Sequence, residues 1–412
     1  MAGTAATEIA DGMARGLAQY PRLLYMCDLP PSNLNGGPIL MRRLLADYPA
    51  DRLTVACAPD FLRRAAGTLL DCQHVTLFRT SGTGRWGLGR VKQLVDLLAV
   101  PHIQRAAETI IREKRIEAVL TVAQDLFFLA AVGAARNVGV PCVAVVHDDW
   151  VSCIGRHMFV PRAAAPRLFR RTLQRASRVY AVSAGVQDWL AQDFGVASQV
   201  QLPATEAHDE VSTRARSENP FRIAYTGSLT AGPMVTMGLL VNVLLHDFAG
   251  HSWQLNLYGA FEQTARDRGW ADPRIRAHGW STQEQVRAAL RDSDLVYLPM
   301  GFDPESRLFS VRSFPSKFAD YLASGRPALV CAPPEASVSR YIREHACAEL
   351  VEEPSPQRLA DALRTLMYNP ERRESLASRG LEKFRAYHDI RVQQQEFVAD
   401  LQRLIPARPE CP

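Results

Sequence analysis

Residues Ser313 to Val330 read SFPSKFADYLASGRPALV, and this stretch decides the fold. Pro315 has no N–H to leave unsatisfied and a φ already set for a helix, so it suits the first helical position. The N–H groups that follow, about Ser316 to Phe318, lack partners inside the helix and face outward with the positive end of the dipole behind them, which makes an anion site. Lys317 adds a full charge there. Asp320, one turn on, is acceptor-only when ionised and suits the two hydroxyls of a ribose. Gly325 stops the helix and Pro327-Ala-Leu-Val starts a buried strand. One helix–strand unit of a parallel α/β domain could therefore hold a nucleotide diphosphate at one end and a ribose at the other.

Outward from this unit the chain repeats the same grammar. FRIAYTGSL (221–229), WQLNLYGA (253–260), RIRAHGWS (274–281), DLVYLPM (294–300), PALVCAP (327–333) and AELVE (348–352) are short apolar strands, each ending in a Gly or Pro loop before a helical stretch. An earlier series runs from RLLYMCDL (22–29), through a helix around Ile39–Tyr48, to RLTVACAP, HVTLFR, AVLTVA, CVAVVH and RVYAVS. Strands alternating with helices predict parallel sheets, and ligands then bind at the carboxyl ends of the strands. The polar, proline-broken stretch 201–220 reads as a linker between the two series, and 356–405 as helical and charged.

Bulk properties agree. A chain of 412 residues exceeds one ordinary core. A composition of 47% hydrophobic and 22% charged residues excludes a disordered chain, and no apolar run is long enough to span a bilayer. The first twenty residues lack a basic start and an apolar core, so they read as an extension rather than a signal peptide. Eight cysteines without C-x-x-C spacing read as free thiols of a reducing cytoplasm. Residues 1–205 hold 23 Lys and Arg against 16 Asp and Glu, the remainder 25 against 27, so the excess positive charge lies in the first half. It suits an anionic acceptor or an anionic membrane surface, or is simply solvated. Nucleic acid is not expected, since no binding motif accompanies the charge.

The 313–330 block resembles the donor-nucleotide helix of GT-B glycosyltransferases, in particular the retaining group 1/family 4 enzymes with a "PSK…EYLA.GKPV" variant. The resemblance implies an α/β fold of GT-B type, two Rossmann-like domains with a cleft between them. The boundaries would be an extension at 1–20, an acceptor domain at 21–205, a nucleotide-sugar domain at 206–388 and a closing helix at 389–412. The family's Glu-x7-Glu pair has its ribose-binding member at Asp320. Arg312 stands at the other position, where the family's Glu lies beside the donor sugar. Gly227 and Ser228 match a phosphate loop, but Thr230 to Met234 lack the Arg and Lys that often follow it. Lys317, Arg312 or Arg307 would then offset the leaving charge. Gly279 and Trp280 resemble the loop beside the base. The stretch 300–312 corresponds to a polar, mobile wall over the donor, with Glu305 and Arg307 as sugar and phosphate contacts.

In the first half, Gly36 and Gly37 resemble the family's glycine loop, though such a pair equally makes a plain turn. His147 follows the strand CVAVV and matches a His beside the donor sugar in retaining members. Asp148 and Asp149 could bind hydroxyls or act as a base. No metal or other cofactor is expected, because GT-B chemistry uses protein cations and no further ligand spacing appears. Arginines 162, 167, 170, 171, 175 and 178, interleaved with apolar residues, predict a basic amphipathic helix that lies on anionic lipid or packs on the core.

The resemblance implies sugar transfer from a nucleotide-diphosphate donor to a glycan, lipid-linked or small-molecule acceptor, with retention, as in polysaccharide biosynthesis. The expected location is the cytoplasm, with or without contact at the membrane face. A non-catalytic partner on the same fold and a nucleotide-sugar epimerase stay open as alternatives.

Overall fold

The computed structural model describes residues 20–34, 36–78, 89–151, 164–208, 211–213, 215, 219–228, 231–259 and 261–406. It divides into two compact units, Met1–Gln201 with Gln393–Pro412, and Leu202–Val392.

The first unit is built on strands β1 (Leu23–Met26), β2 (Leu53–Cys57), β3 (Gln73–Thr76), β4 (Ala118–Val122), β5 (Cys142–Val146), β6 (Arg178–Ala181) and the short β7 (Gln199–Val200). Their order is β3-β2-β1-β4-β5-β6-β7, and every pairing is parallel. The two-residue β7 lacks enough apolar residues to be read from sequence. β1, β2, β4 and β5 are buried along their whole length, as a sheet covered on both faces requires. Successive side chains feed opposite layers: Leu24, Met26 and Val119 join one core, Leu23, Tyr25 and Leu120 the other. The last helix, Ile390–Leu404, adds Phe397 and Leu401 to the second of these. Its Asp400 accepts a hydrogen bond from the Tyr180 hydroxyl at 2.5 Å, with the Arg178 and Arg403 guanidinium groups at 3.6 and 2.6 Å.

The second unit holds β8 (Phe221–Thr226), β9 (Trp253–Tyr258), β10 (Ile275–Ala277), β11 (Leu295–Pro299), β12 (Ala328–Cys331) and β13 (Glu349–Val351). The order is β10-β9-β8-β11-β12-β13, again all parallel. Both sheets reverse direction beside their first strand, between β1 and β4 and between β8 and β11. That reversal leaves a crevice outside the carboxyl ends of the two strands, where ligands of open α/β sheets bind.

The structure chooses between the two readings of the basic helix and refines two other expectations. The basic helix forms at Ala165–Leu173, but its apolar face is interior: Phe169 stacks on Trp150 at 5.3 Å and on Trp189 at 5.7 Å, with Phe194 edge-on at 5.1 Å. Only the arginine face, with Arg167, Arg170, Arg171 and Arg175, is exposed, so the helix has no apolar side to lay on lipid; Arg162 lies outside the described residues. The stretch 300–312 is not a loop: Pro304–Arg312 is a helix whose N-cap Asp303 accepts from the Ser306 N–H at 3.0 Å. It escaped the sequence reading because Leu308 and Phe309 are exposed and only Ser310 is buried, so no apolar stripe marks it. The stretch read as a linker is, over 202–208, part of the second unit. There Thr205 exchanges backbone hydrogen bonds with His388 and Ile390 at 2.9 and 3.0 Å, and Glu206 pairs with Arg287.

No described helix is long and apolar enough to cross a membrane. The cysteines at 27, 57, 72, 142, 331 and 347 are free thiols; Cys153 and Cys411 lie outside the described residues.

Candidate functional site

In the second unit, the helix of the opening motif runs Ser316–Ala323, with Pro315 at its N-cap, one residue before the expected position. Gly325 ends it at φ +67°. The Phe318 N–H turns back to the Pro315 carbonyl at 2.9 Å, so of the three N–H groups expected to face an anion only those of Ser316 and Lys317 have no bond among the described residues. These two line a cavity of about 750 Å³ at the β8–β11 reversal, with Tyr225, Ser228, Met300 and Glu305 among its other walls.

Among the described residues, Lys317 is the one cation of that wall. Its Nζ donates to the Tyr225 hydroxyl at 2.5 Å and, more weakly, to the Ser228 carbonyl at 3.4 Å. It lies 4.4 Å from the centre of the Tyr225 ring. Burial pulls its pKa down to about 8, against the pull of Asp320 in the other direction. Gly227 permits this arrangement: at φ +100° a Cβ on it would stand 3.0 Å from the Lys317 Nζ.

The remaining expected contacts of this unit are not among the walls of this cavity. Asp320 sits one turn further along the helix, half-buried. Gly279 accepts from the Gly259 N–H at 2.8 Å, which sets the carboxyl ends of β9 and β10 side by side. Trp280 follows it, 82% exposed, and so has a ring face open to solvent. His278 is structural: it stacks on Tyr258 at 4.4 Å, with its Nε2 2.9 Å from the Asn256 side-chain oxygen. Arg307 is turned from the cavity. Its Nε donates to the Phe302 carbonyl at 3.0 Å and its guanidinium pairs with Glu335 at 3.1 Å. Arg312 ends the helix Pro304–Arg312 and is not among the cavity walls. Tyr225 was missed, because in β8 it alternates as an interior apolar residue does and nothing local announces its hydroxyl.

In the first unit, His147 leaves the carboxyl end of β5 and Gly37 lies in the first turn of the helix Gly36–Leu45. A Cβ on Gly37 would come 3.4 Å from His147 Nδ1 and 3.9 Å from the Gln124 side-chain oxygen, whereas Gly36 faces open space. His147 Nδ1 is buried and has no hydrogen-bond partner among the described residues. Burial lowers the ring pKa to about 4, so the imidazole is neutral at ordinary pH. Asp148 reaches the surface, yet the packing around its carboxyl, and then Asp149, hold its pKa above the usual carboxylate range.

Sequence reading missed the supports of this corner. Asp28 accepts from the Gln124 amide and the Leu29 N–H, both at 2.8 Å. Asp125 accepts from the Asp28 and Phe127 N–H groups, both at 3.0 Å. Cys27, Asp28 and Asp125 have ligand-type atoms within 4.8 Å of one another, and burial, then Asp125, raises the Cys27 thiol pKa well above its usual value. The bonds to Asp28 and Asp125 tie the loops after β1 and β4 to a helix N-terminus.

Comparison with known proteins gives this geometry a family. Residues 92–202 match the model of Glycosyltransferase Family 4, and residues 241–399 that of a family described as glycosyl transferase-like. By sequence, none of the curated proteins matches the chain. Among solved structures, HepE of Anabaena in complex with UDP and glucose is 17% identical, with 93% of this chain and 100% of that one aligned at a TM-score of 0.64. Sucrose-phosphate synthase of Thermosynechococcus elongatus is 12% identical over 93% and 99%, with a TM-score of 0.66. A UDP-forming α,α-trehalose-phosphate synthase of Burkholderia xenovorans is 12% identical over 94% and 100%, with a TM-score of 0.61. The folds agree along nearly the whole chain, and the two family models together take in well over half of it, so the chain belongs to the GT-B glycosyltransferases of the group 1/family 4 kind.

Proposed function

We propose that the protein transfers a glycosyl unit, with retention, from a nucleoside-diphosphate sugar, and that its second unit holds the donor. The carrying observation is that Lys317 and the helix N-terminus at Ser316 line one cavity at the strand-order reversal of the second sheet. When the glycosidic bond to the diphosphate breaks, positive character grows on the anomeric carbon and negative charge on the leaving phosphate. A preorganised ammonium and two outward N–H groups stabilise that charge without rearranging, which is a large source of acceleration in a site shielded from water. Asp320 serves the ribose hydroxyls and the exposed face of Trp280 the base. In the first unit, neutral His147, with an unused Nδ1, binds a sugar hydroxyl, and Asp148 assists by hydrogen bonding.

Uridine is the favoured base: HepE was solved with UDP, and the trehalose-phosphate synthase is named as UDP-forming. The basic first half suits an anionic acceptor, phosphorylated or lipid-linked.

The test is nucleoside diphosphate release from a panel of nucleotide sugars offered with mixed acceptors, for wild type, Lys317→Ala and Asp320→Ala. Release with at least one donor, reduced about tenfold or more in both variants, supports the reading. Binding without release would favour a non-catalytic partner, a role to which Arg312 at the donor-sugar position of the motif points.

A further inference from the structure

We propose that Tyr225 is a positioning residue of the donor site: its hydroxyl, fixed by the Ser228 carbonyl, holds the Lys317 ammonium against the cavity wall and aims it at the bound diphosphate. The inference rests on the donor-site reading above.

The geometry leaves the phenol one arrangement. Its O–H donates to the Ser228 carbonyl at 2.8 Å, so its lone pairs are free to accept from Lys317 Nζ at 2.5 Å. The ring is buried and braced edge-on by Phe261 at 5.6 Å, so the oxygen is not free to swing away. The lysine lies near enough to the ring face for its charge to meet the negative side of the ring quadrupole. A carboxylate would also hold an ammonium, but it would cancel the charge. A neutral phenol orients it and leaves the charge for an anion. This matters here because Ala231 to Met234 carry no cation, so among the described cavity residues Lys317 is the one that brings a full positive charge to the diphosphate.

Among the described residues, Tyr225 and the Ser228 carbonyl meet the ammonium from β8 and its loop, Asp320 acts on it from its own helix, and Asp303 and Glu305 line the same cavity. Among these, Tyr225 touches Nζ directly. Removing its oxygen withdraws a bond that favours the charged form, so the lysine should lose its proton at lower pH.

The experiment uses the full chain and Tyr225→Phe, which keeps the ring against Phe261. UDP is titrated calorimetrically from pH 6.5 to 9.5 into wild type, Tyr225→Phe and Lys317→Ala. In parallel, the rate of Lys317 acetylation by acetic anhydride is followed against pH by peptide mass spectrometry, which needs no ligand. The expected result is a loss of UDP affinity of about three- to tenfold in Tyr225→Phe. The pH midpoints of affinity and of acetylation should also move down by about half a pH unit or more. If Tyr225→Phe lowers affinity equally at every pH, or keeps the wild-type acetylation midpoint, Tyr225 is merely structural and the inference falls while the donor site stands. If Lys317→Ala binds UDP as wild type does, the donor-site reading itself falls and takes the inference with it.

Discussion

Gly37 and His147 share one small space: a Cβ on the glycine would stand 3.4 Å from the imidazole Nδ1, a nitrogen with no hydrogen-bond partner among the described residues. At that distance a methyl group fits without forcing the ring aside, yet it covers the approach to Nδ1. Gly37→Ala should therefore keep or slightly raise the melting temperature, since Gly in a helix costs about 0.5–1 kcal/mol relative to Ala. Turnover with an accepted donor should fall at least about tenfold. Unchanged turnover would remove His147 Nδ1 from the reaction.

Gly259 is less forgiving. At φ +143° a Cβ there would lie 2.4 Å from the Gly227 carbonyl oxygen, a backbone atom that cannot swing away. Gly259→Ala combines this clash with left-handed strain and should cost about 3 kcal/mol or more. Because the displaced atom belongs to the loop proposed to hold phosphate, nucleotide affinity should fall as well. Urea unfolding and UDP titration check the two effects separately, and a variant with wild-type values in both would contradict the close packing of β8 and β9 ends.

Acid should loosen the second unit through His388. This ring is wholly buried, with Nδ1 donating to the Pro203 carbonyl at 2.7 Å and Nε2 accepting from the Tyr341 hydroxyl at 3.1 Å. Burial lowers its pKa from 6.5 to about 4, so the unfolded chain binds the proton more readily than the folded one. Stability is complete above pH 6.5 and declines as pH falls toward 4, by on the order of 3 kcal/mol for this ring. Melting temperatures from pH 7 to 4 should show the decline, and His388→Gln should flatten it. His147 and His208, also lowered to about 4, add to the wild-type slope. Equal slopes in variant and wild type would refute the assignment.

The helix Ala165–Leu173 separates packing from charge. Phe169→Ala opens a cavity among Trp150, Trp189 and Phe194 and should cost about 3–5 kcal/mol. Arg170→Ala and Arg171→Ala, both on the exposed face, should stay within about 0.5 kcal/mol of wild type. Chemical denaturation distinguishes them; a costly arginine or a cheap phenylalanine would mean that the helix packs by its other side.

Much of the fold was legible because its signals are local. Strands such as CVAVV and DLVYLP are continuous apolar runs, which a sheet buried on both faces demands. Pro315 and Gly325 punctuate the motif helix through their own backbone chemistry, and Lys317 beside Ser316 could be read from position alone. Where the local signal was weak the reading stayed incomplete: the helix Pro304–Arg312 buries little and was missed, and the apolar half of Ala165–Leu173 left a lipid surface and a protein core both open until its neighbours were known.

The sequence by itself determined two parallel α/β series and a Pro-started helix that carries Lys317 in its first turn. Only the tertiary structure decided that Tyr225 reaches Lys317 across 92 residues of chain, and that Gly37 makes room for His147. Strand order and the reversal beside β1 and β8 are set by how buried faces pack over a whole unit. A side chain's partner in such a sheet is therefore a property of the assembled layers, and no spacing along the chain encodes it.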